Sequence, residues 1–415
     1  MNYTIKPKTY QGIIHIPPSK SDSQRAVLIA ALGNGKSVLT NVGNSNDEMA
    51  MLANAEKLGA VITRIDEKTY SITGNFEQAV VTELDCGESG LGVRLLTPVA
   101  SLKTQEVNLT GEGSLLQRDQ SFFEQFLPEM GVKIELTEGK LPIRVSGPLQ
   151  SGMYAVDGSE SSQYISGLLI AFSQTEGTTH LQVENSTSTP YIDMTLHTLK
   201  SFGVNIRETN KGTYEITGKQ PILGTNYTID GDWSSASYWL TAAALGMEIS
   251  VRGLSLSSKQ ADKAILNAFM LAGCRILDTE NGLKIDGTAR KPLDVDATDC
   301  PDLFPALTTY AALTPGTSRI KGVHRLANKE SNRGVALQQE FAKLGIAVRL
   351  EEDTMLIEGN TTIVPAVISS HNDHRIAMCL AIASLVTGVE LTIEQADAVG
   401  KSYPGFWNDL EALLC

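Results

Sequence analysis

The chain has few cysteines, and they do not form a recognisable pattern. Five occur in 415 residues, at Cys86, Cys274, Cys300, Cys379 and Cys415, and none is part of a Cys-x-x-Cys pair. An odd number excludes complete pairing within one chain, and the spacing matches no zinc motif. These features favour a reducing compartment such as the cytoplasm.

Long apolar runs are also missing. The N-terminal stretch MNYTIKPKTYQG has no apolar core of the kind found in signal peptides. Elsewhere the apolar runs reach roughly 10 residues, about half of what a membrane span needs. We therefore expect a soluble cytoplasmic protein with no membrane partner.

Positive charge is in short supply. The chain has 34 Lys and Arg against 47 Asp and Glu, for a formal net charge of −13 at pH 7. An acidic surface repels nucleic acid, so a nucleic-acid partner is not expected. Any anionic ligand must instead meet a locally positive site.

What the chain does contain is an internal repeat of about seventy residues. A helical pattern that ends in glycine and continues as an alternating strand recurs at Gly59, Gly131, Gly203, Gly273 and Gly345, at intervals of 70 to 72 residues. Glycine in that position predicts a left-handed residue that ends each helix. A second series, polar caps followed by apolar helices, occurs six times in phase with the first: SKSDSQRAVLIAAL, GESGLGVRLLTPVA, SESSQYISGLLIAF, GDWSSASYWLTAAAL, TDCPDLFPALTTYAAL and HNDHRIAMCLAIASL.

Together the two series predict six repeats in which apolar helices are buried beneath sheet. The sixth copy ends early, so the alternating stretch Tyr3–Ile16 is expected to supply its missing strands. The predicted domains are therefore 1–16 plus 231–415, which holds repeats 4–6, and 17–230, which holds repeats 1–3. An active site is expected in the cleft between them.

The six polar caps predict an anion site, because the N-terminus of a helix presents unpaired N–H groups and a positive dipole end. Cations accompany several caps: Lys20, Arg25, Arg94, His374 and Arg375. Others lie in the loops between: Arg118, Lys329, Arg333 and Lys401. Ser21 and Gln24 also fit a capping box, which is the simpler interpretation of that cap. His371 and His374 have no third partner, so no metal site is expected.

Seven motifs in chain order resemble the EPSP synthase family of enolpyruvyl transferases: SKSxxxR, SSQY, TPYIDMTL, GDWSSASY, NKESNR, NDHRIAM and KSYPGF. The resemblance covers essentially the whole chain. It implies a two-domain inside-out α/β barrel of six βαβαββ units, three per domain. It also implies a reaction in which the enolpyruvyl group of phosphoenolpyruvate passes to the 5-hydroxyl of shikimate 3-phosphate and phosphate is released.

The resemblance implies roles for particular residues. Shikimate 3-phosphate is expected to contact Ser21, Arg25, Ser161, Ser162, Gln163, Ser188, Tyr191, Asp302 and Lys329. Phosphoenolpyruvate is expected to contact Lys20, Gly90, Arg118, Gln163, Arg333, Arg375 and Lys401. The expected catalytic groups are Lys20, Asp302, Glu330 and His374. No metal or organic cofactor is implied, and a monomer is expected.

Two carboxylates suit the proton transfers that this reaction requires. Asp302 is assigned to the attacking hydroxyl and Glu330 to the methylene carbon. The leaving phosphate is assigned to Lys20 or His374, a choice that the sequence leaves open.

The chain departs from the family pattern at several positions. Glu88-Ser89-Gly90-Leu91 stands where Asn-Ala-Gly-Thr is usual, and a carboxylate at Glu88 near two anions would be unfavourable unless it has a partner. Asp119, Thr189 and Asn332 also replace the usual Pro, Lys and Asp.

Three other functions fit parts of the sequence. The sister transferase that acts on UDP-N-acetylglucosamine typically has Lys-Asn where this chain has Lys20-Ser21, and a Cys in the loop that holds Arg118. RNA 3′-phosphate cyclases use related repeats but need a basic surface. A catalytically inactive binding paralogue is disfavoured because the carboxylates and the cations match together.

Overall fold

The computed structural model describes residues 1–6 and 10–413. The chain forms two compact units. Unit 1 comprises residues 1–17 and 230–415, and unit 2 comprises residues 18–229. The N-terminal strands and the last helix therefore belong to the same unit.

The described residues form twelve α-helices: α1 (Lys20–Leu32), α2 (Asn46–Lys57), α3 (Gly90–Ala100), α4 (Phe122–Phe126), α5 (Ser162–Phe172), α6 (Thr189–Ser201), α7 (Trp233–Ala244), α8 (Ile265–Leu271), α9 (Phe304–Ala312), α10 (Arg333–Lys343), α11 (His374–Thr387) and α12 (Phe406–Ala412). Short 3₁₀ turns link several of them, and one of these, Pro301–Leu303, leads into α9.

The strands are β1 (Tyr3–Ile5), β2 (Gly12–His15), β3 (Lys36–Thr40), β4 (Val61–Arg64), β5 (Tyr70–Thr73), β6 (Glu83–Asp85), β7 (Val107–Thr110), β8 (Lys133–Thr137), β9 (Lys140–Ser146), β10 (Met153–Asp157), β11 (Thr178–Glu184), β12 (Ile206–Asn210), β13 (Thr213–Thr217), β14 (Asn226–Thr228), β15 (Ile249–Arg252), β16 (Arg275–Thr279), β17 (Gly282–Asp286), β18 (Asp294–Asp296), β19 (Gly316–Lys321), β20 (Ala347–Glu351), β21 (Thr354–Gly359), β22 (Ala366–Ser369) and β23 (Leu391–Glu394).

The strands form six small sheets, three in each unit, and this confirms the predicted sixfold repeat. Five sheets have four strands in one common order, for example β6-β7-β9-β8 and β10-β11-β13-β12. The first pair in each is parallel and the other pairs are antiparallel, as β10 with β11 and β11 with β13 show. With the intervening helices, each complete repeat is a βαβαββ unit.

Strands distant in sequence complete three of the repeats. The first strand of repeat 1 is β14, which pairs in parallel with β3. The first strand of repeat 4 is β2, which pairs in parallel with β15. The sixth sheet has the order β1-β23-β22, so β1 supplies the strand that the last copy lacks. The N-terminal segment thus completes repeat 6, as its alternating pattern predicted, and it also completes repeat 4, which was not predicted.

The first helix of each repeat lies in the interior. Helices α3, α7 and α9 are buried almost throughout, and the apolar residues of α1, of α5 and of α11 up to Leu385 are buried as well. Sheet and the second helices cover them, so the all-round apolar pattern correctly predicted burial.

The second helices end as their glycines predicted. Gly59, Gly131, Gly203, Gly273 and Gly345 have φ values of 93°, 82°, 87°, 84° and 85°. An L-residue with a side chain is strained in this left-handed region, whereas glycine is not. In four repeats the glycine follows the end of the helix, and in repeat 2 Gly131 ends the 3₁₀ turn Pro128–Met130 that follows α4. In every case the glycine turns the chain into the next strand.

The helix caps confirm two predictions and correct one. Asp232 caps α7 by accepting from Ser235 N at 2.9 Å, and Asp373 caps α11 by accepting from Arg375 N at 2.9 Å. The predicted capping box at Ser21 and Gln24 is wrong: α1 begins at Lys20, and Ser19 is its N-cap. The helix starts two residues earlier than expected because Ser19 also has a side-chain acceptor for the first turn.

Candidate active site

In unit 2 the N-terminal ends of three buried helices are joined by polar side chains. Ser89, the N-cap of α3, donates to Gln24 Oε1 of α1 at 2.9 Å. Arg94 of α3 donates from Nη1 to Gln163 Oε1 of α5 at 2.7 Å. Because Ser161 caps α5 next to Gln163, the polar caps of repeats 1, 2 and 3 form one connected group.

Arg25 of α1 is buried and held on three sides. Its Nε donates to Thr195 Oγ1 at 2.7 Å, Nη2 to Ser166 Oγ at 3.3 Å, and Nη1 to the Ser21 carbonyl at 2.8 Å. Burial lowers the pKa of Arg25 to about 10, which leaves it charged at neutral pH. The guanidinium is therefore a fixed positive charge at the start of α1.

The start of α6 lies beside the same arginine. Thr195 Oγ1, which binds Arg25, also donates to the Tyr191 carbonyl at 3.0 Å. Ser188 lies just before α6, has a φ value of 53° and is buried. Ser162 opens α5 and its carbonyl accepts from Ser166 at 3.0 Å. Unit 2 thus places Ser161, Ser162, Ser188 and Tyr191, which were predicted to contact substrate, at the starts of α5 and α6, and Ser21 at the start of α1.

Arg118 packs directly against Gly90, the first residue of α3. A Cβ on Gly90 would lie 2.3 Å from Nη1 of Arg118 and 2.7 Å from its Cζ. A real Cβ never comes that close, so the glycine makes room for the guanidinium. The two residues were predicted to contact the same anion, and the structure brings them together.

Lys20 has a buried partner that the sequence did not reveal. Its Nζ lies 2.9 Å from Oδ2 of Asp47, and both side chains are nearly inaccessible to solvent. Asp47 lies in the first turn of α2, where an acidic residue is ordinary on pattern alone. Only the packing of α2 against α1 identifies it as part of the site.

Glu88 has partners that relieve the expected repulsion. Its Oε2 accepts from Ser114 N at 2.8 Å and from Ser114 Oγ at 2.9 Å. The carboxylate is therefore directed to the turn at residues 113–117 and is hydrogen-bonded there. Because Ser114 binds the Glu88 carboxylate, the repulsion between this carboxylate and bound anions is smaller than the sequence suggested.

In unit 1, Arg333 is the centre of a buried ionic cluster. Its Nη1 lies 2.6 Å from Asp302 Oδ1, Nε lies 2.8 Å from Asp373 Oδ2, and Nη2 donates to Glu330. The Arg333 side chain is 1% exposed. One guanidinium thus fixes three carboxylates, including both that were predicted to carry protons.

Asp302 is bound by three cations. Arg375 Nη2 lies 2.9 Å from its Oδ2, and Lys329 Nζ lies 3.6 Å from its Oδ1, beside the contact with Arg333. Burial raises the pKa of Asp302, but the charges of Arg375, Lys329 and Arg333 outweigh it and hold the pKa well below the usual range. Burial lowers the pKa of Lys329 to about 8 despite the neighbouring Asp302.

Lys401 and His374 lie at the start of α11. Lys401 Nζ donates to the Asn372 carbonyl at 2.7 Å. His374 is the first residue of α11, and its side chain is fully buried. The start of α11 thus brings Lys401, His374 and Arg375 close to the cluster around Arg333.

Asp262 is a further buried carboxylate that the sequence did not single out. Ser234 Oγ of α7 donates to its Oδ2. Burial raises the pKa of Asp262 to about 6, and the negative charge of nearby Asp302 adds to that effect. Nothing in the stretch SSKQADKAI indicated that Asp262 is buried near the site, because Ser234 and Asp302 are far from it in the sequence.

The other departures from the family pattern have local roles. Asn332 caps α10 by accepting from Val335 N at 3.3 Å, and Asp119 accepts from Ser121 N at 2.8 Å. Thr189 is the first residue of α6. Each of these residues supports a turn or a helix start.

The described residues contain neither a cluster suited to a metal ion nor a helix suited to span a membrane. Across residues 1–6 and 10–413, no group of three or more His, Cys, Asp or Glu residues is placed to hold a metal ion. Within the same ranges, no helix has the length and apolar character to cross a membrane. The four described cysteines are buried thiols, and Cys415 lies outside the described residues.

The fold is shared with enolpyruvyl transferases. The enolpyruvyl transferase NikO from Streptomyces tendae superposes with a TM-score of 0.77 at 17% identity, covering 99% of this chain and 96% of that one. A structure of EPSP synthase from Acinetobacter baumannii gives a TM-score of 0.80 at 25% identity, covering 100% and 98%. At 17% identity, the likeness to NikO shows the fold alone.

The sequence comparisons identify the family to which the chain belongs. A family model described as EPSP synthase (3-phosphoshikimate 1-carboxyvinyltransferase) matches residues 5–410. A protein of Clostridium acetobutylicum with the name 3-phosphoshikimate 1-carboxyvinyltransferase is 38% identical over 415 residues, covering 99% of this chain and 96% of its own. One of Clostridium perfringens with the same name is 36% identical over 413 residues, covering 99% and 97%.

The chain belongs to the EPSP synthase family. The reaction of this family is enolpyruvyl transfer in the shikimate pathway, which leads to aromatic compounds. The resemblance drawn from the seven sequence motifs is confirmed, and the sister transferase and the RNA cyclases are set aside.

Proposed function

We propose that the polar groups of both units act on one pair of substrates, shikimate 3-phosphate and phosphoenolpyruvate, and transfer the enolpyruvyl group from the second to the first. The observation that carries this proposal is the cluster around Arg333, in which two partly buried carboxylates suited to proton transfer lie among three cations, Arg333, Arg375 and Lys329. Such a cluster suits a reaction in which anions bind and protons move.

Shikimate 3-phosphate is assigned mainly to unit 2. The fixed charge of Arg25 and the hydroxyl groups at the starts of α5 and α6 suit a phosphorylated polyol, since they combine positive charge with donors and acceptors. The assigned residues are Ser21, Arg25, Ser161, Ser162, Gln163, Ser188 and Tyr191, with Asp302 and Lys329 from unit 1.

Phosphoenolpyruvate is assigned to the arginines and lysines of both units. Planar guanidinium groups bind carboxylate and phosphate oxygens in pairs, and burial of the arginines fixes their geometry. The assigned residues are Lys20, Gly90, Arg118, Gln163, Arg333, Arg375 and Lys401. The amide of Gln163, whose oxygen already accepts from Arg94, offers its N–H₂ group to a substrate oxygen.

Asp302 is assigned as the base for the 5-hydroxyl. In the unliganded protein its low pKa makes it a weak base, because Arg375, Lys329 and Arg333 stabilise its charge. Substrate anions that bind these same cations reduce that stabilisation, so the pKa of Asp302 rises as the site fills. The site thereby produces a competent base only when substrate is present.

The remaining proton transfers are assigned to Glu330 and its neighbours. Glu330 first takes up a proton from solvent, and it gives this proton to C3, which becomes a methyl group, as the hydroxyl oxygen bonds to C2 of the enol. Glu330 then removes a proton from that methyl group while the C2–O bond to phosphate breaks. Lys20 or His374 stabilises or protonates the departing phosphate.

The location and assembly of the protein are also proposals. The buried thiols of the described cysteines and the acidic surface fit a cytoplasmic enzyme. We propose that it acts as a monomer, because both groups of assigned residues come from one chain.

Phosphate release tests the proposed reaction. Purified protein is incubated with phosphoenolpyruvate alone, with shikimate 3-phosphate alone, with both, and with phosphoenolpyruvate plus UDP-N-acetylglucosamine. We expect phosphate only when both assigned substrates are present, and the same rate with EDTA. Release that requires UDP-N-acetylglucosamine instead would overturn the substrate assignment.

A further inference from the structure

Glu340 is a buried carboxylate that the proposed reaction does not use. It lies on α10, two turns after Arg333, and its side chain is 2% exposed. Lys343 Nζ donates to its Oε2 at 2.7 Å and to its Oε1 at 3.0 Å. Beyond this helical neighbour, its other contacts are to a loop from a different repeat.

That loop joins β22 to α11, and Glu340 binds it at His371 and also binds Ser369, the last residue of β22. Ser369 N donates to Oε2 at 2.9 Å, and His371 Nε2 lies 2.7 Å from Oε1. His371 is partly exposed, whereas Glu340 is not. The carboxylate therefore ties the loop to α10 from the inside.

The loop has an unfavourable backbone conformation. His371 and Asn372 both have φ 53°, so two successive residues with side chains lie in the left-handed region. Such residues persist when the surrounding contacts fix them. Besides Glu340, those contacts include Asn372 N to Gln395 Oε1 at 3.0 Å and His371 N to Ser369 Oγ at 3.0 Å.

The loop in turn orients three charged groups of the site. The Asn372 carbonyl accepts from Lys401 Nζ at 2.7 Å. Asp373 binds Arg333 Nε at 2.8 Å and caps α11 by accepting from Arg375 N at 2.9 Å. All three cations are assigned to phosphoenolpyruvate, and none belongs to the group assigned to shikimate 3-phosphate.

We propose that Glu340 is a positioning residue for the phosphoenolpyruvate part of the site, acting through His371 and Ser369 on the loop that orients Lys401, Arg333 and Arg375. This inference rests on the proposed function for the identity of the substrate. It assigns Glu340 no contact with substrate. Loss of its hydrogen bonds releases the strained loop and moves the cations that depend on it.

Two variants that preserve side-chain size test the role. Glu340→Leu fills the same space but accepts no hydrogen bond, whereas Glu340→Gln retains an acceptor for Ser369 N. The control is Glu351→Leu, at an exposed position on β20 of the same unit. For each protein, kcat and both KM values are measured, together with amide hydrogen exchange of residues 369–375 without substrate.

We expect Glu340→Leu to raise the KM for phosphoenolpyruvate about tenfold or more while the KM for shikimate 3-phosphate stays within about twofold. Glu340→Gln should recover most of the affinity, and exchange of the loop amides should be faster only in Glu340→Leu. A role in stability alone predicts a different result, since a smaller active fraction lowers apparent kcat and leaves both KM values unchanged.

An unchanged KM for phosphoenolpyruvate in Glu340→Leu, or an equal rise in both KM values, overturns the proposal. If Glu340→Leu fails to fold, His371→Leu is used instead, because it removes one of the two contacts of Glu340 at a partly exposed position. An unchanged KM for phosphoenolpyruvate in His371→Leu also overturns the proposal. If the wild-type protein lacks the transferase activity, the proposed function fails instead. The hydrogen exchange, which needs no substrate, still decides whether Glu340 holds the loop.

Discussion

At the scale of single residues, the charged side chains of the site act in groups. Arg333 binds three carboxylates, and Asp302 binds three cations. The sequence motifs identified most members of these groups. The sequence did not identify Asp47 or Asp262, because acidic residues at the start of a helix or in a turn are common. Only tertiary packing shows that these two residues are buried.

The geometry of Arg333 predicts the effect of a conservative change. In Arg333→Lys the charge remains, but one ammonium cannot reach all the carboxylates that the guanidinium fork binds. We expect kcat/KM to fall about 100-fold, which corresponds to about 2.7 kcal/mol of transition-state stabilisation. The matched control is Arg349→Lys on the exposed surface of β20. Steady-state kinetics equal to wild type in Arg333→Lys would show that the fork is not needed.

Asp262 predicts a pH-dependent change in stability. Its pKa is about 6 in the folded protein against an ordinary value of 3.8. Because the pKa is raised on folding, the stability that this group contributes is fully present below pH 3.8 and is lost as the pH rises through about 6. In Asp262→Asn the side chain is neutral at every pH, so the variant does not lose this stability as the pH rises.

The thermal midpoint of Asp262→Asn should therefore rise relative to wild type between pH 5 and pH 8, by an amount equivalent to about 1–3 kcal/mol. The control is Asp278→Asn, at an exposed position on β16. A difference between variant and wild type that is the same at both pH values would mean that Asp262 is ionised throughout this range.

At the scale of helices and strands, the regular features were the most predictable. The helix-ending glycines and the apolar helices follow simple backbone and burial rules, and the structure confirms both. The capping box at Ser21 and Gln24 was wrong because Ser19, two residues earlier, offers an equally suitable cap, and local pattern does not choose between them. The contacts that join α1, α3, α5 and α6 are long-range and have no signature in the sequence.

One such contact makes the orientation of Arg25 depend on a threonine of α6. Thr195→Val keeps the shape of the side chain but leaves Arg25 Nε without its 2.7 Å acceptor. We expect stability to fall by about 1–3 kcal/mol, since a buried charged donor loses its partner. The KM for shikimate 3-phosphate should rise about tenfold, while the KM for phosphoenolpyruvate changes less.

Thermal unfolding and steady-state kinetics measure both effects. Thr63→Val, an exposed position on β4 of the same unit, is the control. If Thr195→Val loses stability but keeps the wild-type KM for shikimate 3-phosphate, Arg25 does not bind that substrate.

At the scale of the whole molecule, the chain repeats one unit six times and uses the repeats unequally. The interior helices of five repeats have a polar N-cap, whereas α9 has Leu303 at that position. The carboxylates and cations that bind one another around Arg333 come from repeats 5 and 6, near α9, α10 and α11. The repeat itself was predictable from two periodic series. The period does not indicate which repeats supply the groups proposed to transfer protons, and these were assigned from the motifs of the family instead.

Identification of the product made in D₂O tests the central claim most directly, because it separates transfer from simple hydrolysis of phosphoenolpyruvate. Protein, shikimate 3-phosphate and phosphoenolpyruvate are incubated in D₂O, and the organic products are analysed by mass spectrometry and proton NMR. The account predicts one joined product, an enolpyruvyl ether at the 5-oxygen, with deuterium in its methylene group because C3 gains and loses a proton during the reaction. Pyruvate and free phosphate without a joined product would contradict it.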